Sequence, residues 1–169
     1  YEALMEAQKK GIVVVLASGR PTYGIMPLAK QLKLAEYGGY ILAYNGGKIM
    51  DCKSGDTVFN QELCPDLVPM LYDEAMKAGV QILTYQGDGI AATKADDEYV
   101  EHEAFINKMP VVEYSDFKNQ VEYPINKCLI VGDPEPLHKL ELKLAAEMEG
   151  KISVYRSAPF FLECVPLGI

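Results

Sequence analysis

The residues best suited to chemistry stand in two short loops. Ala17-Ser18-Gly19-Arg20-Pro21 follows one apolar run, and Tyr44-Asn45-Gly46-Gly47 follows another. A hydroxyl residue at the carboxyl end of a buried parallel strand, then glycine, then a helix, suits a phosphate. That strand end faces the ligand crevice of an open α/β sheet, glycine admits close backbone approach, and the first helical turn carries N–H groups with no intrahelical partner. Ser18 would donate its hydroxyl proton to a phosphoryl oxygen while Gly19 lets the main chain come close. The same spacing also fits a plain strand-to-helix turn in which Ser18 caps the helix. Asn45 and the glycines after it suit a turn with positive φ.

Behind these loops stand the elements that must position them. Glu2 to Lys10 is rich in helix formers, with Lys9 and Lys10 in the last turn and Gly11 where a C-terminal cap belongs. Ile12-Val13-Val14-Val15-Leu16-Ala17 is continuous and β-branched, the pattern of a strand buried on both faces of a parallel sheet. Thr22 to Lys33 places Ile25, Leu28, Ala29 and Leu32 at helical spacing, with Pro27 inside the window. Tyr40 to Ala43 reads as a second buried strand, and Lys48 to Met50 with Thr57 to Phe59 as a hairpin.

From about Cys64 the rhythm changes. The spacing predicts a helix over 66–78, strands over 80–85 and 89–93, a polar helix over 96–107, an irregular stretch over 110–123, a strand over 127–131, an amphipathic helix over 134–148, and strands over 152–156 and 160–165. This order predicts an α+β layer: one antiparallel or mixed sheet with helices on one face.

Composition narrows the function classes. The 169 residues are 49% hydrophobic and 24% charged, which calls for a packed core. A net charge of -8 repels polyanions, so nucleic acid and acidic membrane surfaces are poor partners, whereas a small phosphate ester held by local N–H groups is not excluded. Cys52, Cys64, Cys128 and Cys164 form no Cys-x-x-Cys pair, which points to a reduced, cytoplasmic setting. The apolar run near the start spans six residues, too few for a membrane span, and no signal pattern precedes it. The first residue, Tyr1, falls inside the predicted helix, so the chain is expected to be interrupted there.

Taken together, Ala17-Ser18-Gly19-Arg20-Pro21 after a valine-rich strand, Tyr44-Asn45-Gly46-Gly47 after the next, and the closing Phe161-Leu162-Glu163-Cys164-Val165-Pro166-Leu167-Gly168-Ile169 resemble Cof-type, class IIB haloacid-dehalogenase-like phosphatases, in register from Tyr1 to Ile169. The resemblance implies a Rossmann-like core carrying an inserted α/β cap. It also implies Mg²⁺-dependent hydrolysis of phosphate monoesters of small metabolites, such as sugar phosphates or phosphorylated cofactors, through an aspartyl-phosphate. Ser18 would be the phosphate-binding hydroxyl, with Gly19 in the same loop. Arg20 and Asn45 would steady the loop or meet the substrate; bracing the loop by hydrogen bonds is the equal alternative.

The departures matter as much. The family's Asp-x-Asp-Gly-Thr nucleophile belongs before the first helix, and its lysine and Gly-Asp-x-x-Asn-Asp motifs belong after Ile169; this chain carries none of them. The expected organisation is therefore a partial Rossmann-like core over 1–61, a class IIB cap over 62–165 and a return linker over 166–169, truncated at both ends. The chain alone is expected to be inactive and to self-associate through its incomplete core. A non-catalytic ligand-binding or interaction module, or a fragment of a Rossmann-like transferase, are the alternatives. Gly132-Asp133-Pro134 reads as a helix-opening turn rather than a metal motif, and His102 and His138 lack a grid of metal-ligand partners. Asp96-Asp97-Glu98 and Glu101-His102-Glu103 read as a solvated helix face.

Overall fold

Alanine, glutamate, glutamine and lysine dominate Glu2–Lys9, and the computed structural model, which describes residues 1–169, folds this stretch into helix α1. Gly11 follows at φ 83°; its N–H donates to Gln8 at 2.9 Å and that of Ile12 to Ala7 at 3.1 Å, a Schellman end that only glycine adopts without strain. The chain divides into two units, Tyr1–Gln61 and Glu62–Ile169.

In the first unit, β1 (Val15–Ala17) runs parallel to β2 (Tyr40–Ala43), with Leu16 opposite Ile41. Helices α2 (Thr22–Gln31) and α3 (Leu34–Tyr37) form the crossover between them. Strands β3 (Lys48–Asp51) and β4 (Thr57–Asn60) extend the sheet in the order β1-β2-β3-β4. Ile25, Ala29, Leu32, Leu34, Ile41, Ala43 and Tyr44 are buried hydrophobic residues here. A fully buried aliphatic side chain contributes about 1.5–3 kcal/mol relative to an exposed one.

The expectation of a strand hidden on both faces does not hold for β1. Only the last three residues of the apolar run are strand, β1 lies at a sheet edge, and Val13 and Val15 are 53% and 48% exposed. One neighbouring strand cannot cover both flanks of the run. Pro27 is accommodated inside α2, at an exposed position.

The second unit comprises α4 (Val68–Lys77), β5 (Gln81–Gln86), β6 (Gly89–Ala92), α5 (Glu98–Asn107), β7 (Val111–Glu113), α6 (Phe117–Gln120), β8 (Cys128–Val131), α7 (Pro134–Glu147), β9 (Ile152–Ala158) and β10 (Phe161–Pro166). The sheet order is β7-β6-β5-β8-β10-β9, and β6–β7 is its parallel pair. Val68, Leu71 and Ala75 of α4 and Leu137, Leu140 and Leu144 of α7 pack with Ile82, Ile130 and Leu162 in one core. Of the two arrangements the pattern allowed, antiparallel or mixed, the sheet takes the mixed one.

Two expectations need correction here. The stretch 110–123 is not irregular: it holds β7 and α6, elements of three and four residues, too short to show a period. Helices also cover both sheet faces. Side chains alternate along a strand, so Tyr85 points away from the face that Ile82 shares with α4 and α7, and Tyr85 meets Glu103 of α5. Glu103 is accordingly buried rather than part of a solvated face. No helix of the chain is long and apolar enough to cross a membrane.

Candidate functional site

Ser18 comes directly after β1, and its N–H donates to the carbonyl of Leu42 at 2.9 Å, carrying the parallel pairing one residue past the strand. Its Oγ accepts from the Arg20 N–H at 3.2 Å, a local turn closed by the side chain. Pro21 then caps α2 in extended conformation, so the first-turn N–H groups of α2 follow the Ser18 loop at once. Accepting from Arg20 leaves the hydroxyl proton of Ser18 able to turn toward a ligand.

The loop after β2 is bound to this one at two points. The N–H of Asn45 donates to the Ser18 carbonyl at 3.2 Å, and the N–H of Tyr44 donates to the Arg20 carbonyl at 3.0 Å. To make both bonds, Tyr44 and Asn45 take left-handed conformations at φ 52° and 63°. Asparagine tolerates that region and tyrosine does so rarely. Gly19 lets the two loops approach closely: a Cβ there would lie 3.2 Å from Asn45 Oδ1 and 3.3 Å from Nδ2, tight enough to make the Asn45 side chain give way. The side chain of Asn45 therefore lies over the Gly19 backbone.

Leu16, Ala17, Ser18, Arg20, Gly24, Ile25 and Leu28 line a concavity of about 340 Å³. Ser18 and Arg20 thus meet it, whereas Gly19 and Asn45 are not among its lining residues. The four candidates, separated by up to 27 positions in sequence, belong to one hydrogen-bonded loop pair. Tyr44 was not a candidate, yet its backbone holds Arg20, and burial pushes its phenol up to about 12, so it braces the loop as a neutral group. The signal for it was available: it opens the Tyr-Asn-Gly-Gly turn.

Chemically, this pair can bind an anion through a hydroxyl, an arginine and main-chain N–H groups. It contains no carboxylate: its nucleophilic group is the Ser18 hydroxyl, and its oxygen atoms are all uncharged. No group of three or more His, Cys, Asp or Glu side chains anywhere in the chain is placed to hold a metal ion. Its residues by themselves do not fit Mg²⁺. In the second unit Asp133 sits at the start of α7 and accepts from the Tyr99 hydroxyl at 2.9 Å, and exposed His138 contacts Glu141 and Arg156.

Comparison with known proteins bears on this geometry. A family model for haloacid dehalogenase-like hydrolases matches residues 1–169. A crystal structure of a haloacid dehalogenase-like hydrolase from Bacteroides thetaiotaomicron superposes with a TM-score of 0.93 at 48% identity, covering 99% of this chain and 63% of that one. A Streptococcus pyogenes protein provisionally named a phosphatase is 27% identical over 167 residues, covering 98% of this chain and 62% of its own length. The subclass IIB sugar phosphatase BT4131 shares the fold, with a TM-score of 0.75 at 17% identity over 99% of this chain and 61% of that one. The chain therefore spans less than two thirds of each of these proteins.

Proposed function

The chain belongs to the haloacid dehalogenase-like hydrolase family, and from that premise we propose that it supplies the phosphate-holding loop and the cap of a phosphatase acting on small phosphorylated metabolites. The observation that carries this reading is the Ser18 loop: a hydroxyl at the carboxyl end of a parallel strand, tied to the next loop by the Asn45 N–H and lining a concavity. Ser18 donates to a phosphoryl oxygen, Arg20 adds positive charge at the mouth, and Gly19 with Asn45 holds the loop rigid. Preorganised donors of this kind serve transition-state charge better than water does.

The unit from Glu62 onward is read as the cap, and the substrate class as sugar phosphates or phosphorylated cofactors; the fold shared with a sugar phosphatase supports this without selecting a metabolite. In the longer protein a carboxylate nucleophile would take the phosphoryl group as an aspartyl-phosphate and release the alcohol. Water would then regenerate the carboxylate and free inorganic phosphate. Mg²⁺ would offset the phosphate charge there. Val13 and Val15, exposed beside the unpaired edge of β1, support self-association of this chain when it stands alone.

Without a carboxylate beside Ser18, this chain by itself binds phosphate esters and does not cleave them. Incubation with Mg²⁺ and an aryl phosphate tests that directly. No release of the aryl alcohol is expected, and sustained turnover that co-purifies with the chain would refute the assignment. Isothermal titration with inorganic phosphate should show binding that weakens in Ser18→Ala.

A further inference from the structure

Helix α5 turns an unusual set of residues inward. Its buried positions are Val100, Glu103 and Asn107, spaced along one helical face, while Phe105 is 80% exposed. Two of those three inward residues are polar: Asn107 bonds to Glu103 within the helix, and Glu103 in turn receives a hydrogen bond from the sheet residue Tyr85.

Glu103 is the centre of that attachment. Its Oε1 accepts from the Tyr85 hydroxyl at 2.6 Å and from Asn107 Nδ2 at 2.6 Å. Lys127 Nζ lies 5.5 Å from the centroid of the Tyr85 ring and donates to Glu163 at 2.9 Å, and Glu163 also accepts from the Ser157 hydroxyl at 2.7 Å. The titratable groups facing Glu103 are thus Tyr85 of β5, Lys127 just before β8 and Glu163 of β10.

The charges do not balance when all are ionised. Glu103, Glu163 and Lys127 are 3%, 4% and 2% exposed, and the single ammonium is in contact with Glu163. An ionised Glu103 would be a surplus anion out of reach of water, a state that proteins relieve by protonation. The cluster is also short of donors: Asn107 Oδ1 is buried with no hydrogen-bond partner, and a neutral Glu103 adds one O–H.

We propose that α5 is a proton-operated latch, seated on the sheet while Glu103 is a neutral carboxylic acid and released when that proton is lost. Burial holds the Glu103 carboxyl above the usual range, against the opposing pull of the Tyr85 hydrogen bond and the Lys127 charge. With the seated pKa raised above that of the open state, the latch is fully closed below the ordinary carboxylate pKa. It weakens as pH climbs through the raised value.

Hydrogen exchange of the Val100–Asn107 amides, corrected for the chemical exchange rate and followed from mildly acidic to mildly alkaline pH, tests the latch. In the wild-type chain the opening constant is expected to rise by up to about tenfold per pH unit, the slope of one released proton. Glu103→Gln, a neutral isostere, should stay closed and flat. The same pH dependence in both proteins, or none in the wild type, overturns the proposal. If the variant does not fold, the infrared carbonyl band of a protonated carboxyl decides. It should persist in the wild type above the ordinary carboxylate range and vanish as α5 opens; its absence there also overturns the proposal.

Discussion

The main-chain N–H of Asn45 donates to the Ser18 carbonyl at 3.2 Å, so the loop that ends β2 holds in place the residue that ends β1. Most of what can be tested about the site follows from that bond and from the packing beneath it.

In a protein carrying this chain with the rest of the family fold, Ser18→Ala should lower kcat/KM for an aryl phosphate by about 10²–10³-fold, the loss of one preorganised donor. Steady-state kinetics reads this, and an unchanged value takes Ser18 out of the site.

Asn45 sits at φ 63°, where a β-carbon costs most residues about 1–2 kcal/mol. Asn45→Ala should therefore lower the denaturant midpoint of the first unit, and Asn45→Gly should lower it less. Equal losses would show that the side chain over Gly19, rather than the backbone conformation, sets the cost.

Gly39 marks a closer approach. A Cβ there would stand 2.6 Å from the carbonyl oxygen of Val14, a backbone atom that cannot swing aside. Gly39→Ala should destabilise the first unit by about 1–3 kcal/mol, the range for overpacking. Thermal unfolding that leaves the midpoint in place would mean that the run before β1 shifts freely.

Lys127 and Glu163 form a buried ion pair at 2.9 Å. Removing one partner strands the other, so Lys127→Met should cost about 3–5 kcal/mol, while Lys127→Met with Glu163→Leu should recover much of it. A double-mutant cycle in urea measures the coupling; additive losses would argue that the pair contributes packing alone.

Glu74 accepts hydrogen bonds from Lys143 and Lys77, which hold its carboxyl below the usual range. Its contribution is therefore present above the ordinary carboxylate pKa and is lost as pH falls through the depressed value. Lys77 and Lys143 are well exposed, so solvent screening keeps the effect within about 1 kcal/mol. Glu74→Gln should flatten the acid limb of stability against pH by that amount, and an acid limb identical to wild type would show the pairs to be silent.

How much of this was legible depends on how far apart the interacting residues lie. The helices 22–31 and 134–147 announce themselves by apolar spacing, and the hairpin 48–60 by its turn residues, because those signals are local. β7 and α6 were not visible, since three or four residues carry no measurable period. Their partners, Ile90 and Tyr72, lie far off in sequence.

By itself the sequence determined the order of the longer elements and the chemistry available at Ser18, Gly19, Arg20 and Asn45, all of which rest on residue type and short-range spacing. Only the tertiary structure decided that Asn45 and Ser18 share a hydrogen bond, that β1 stands at an open edge, and that Glu103 is buried beside Tyr85. The reason is physical. Burial and hydrogen-bond partnership across 18 to 36 residues depend on which chain segments close over a side chain, and the polar spelling of Glu101-His102-Glu103 is the same in water as beneath a sheet.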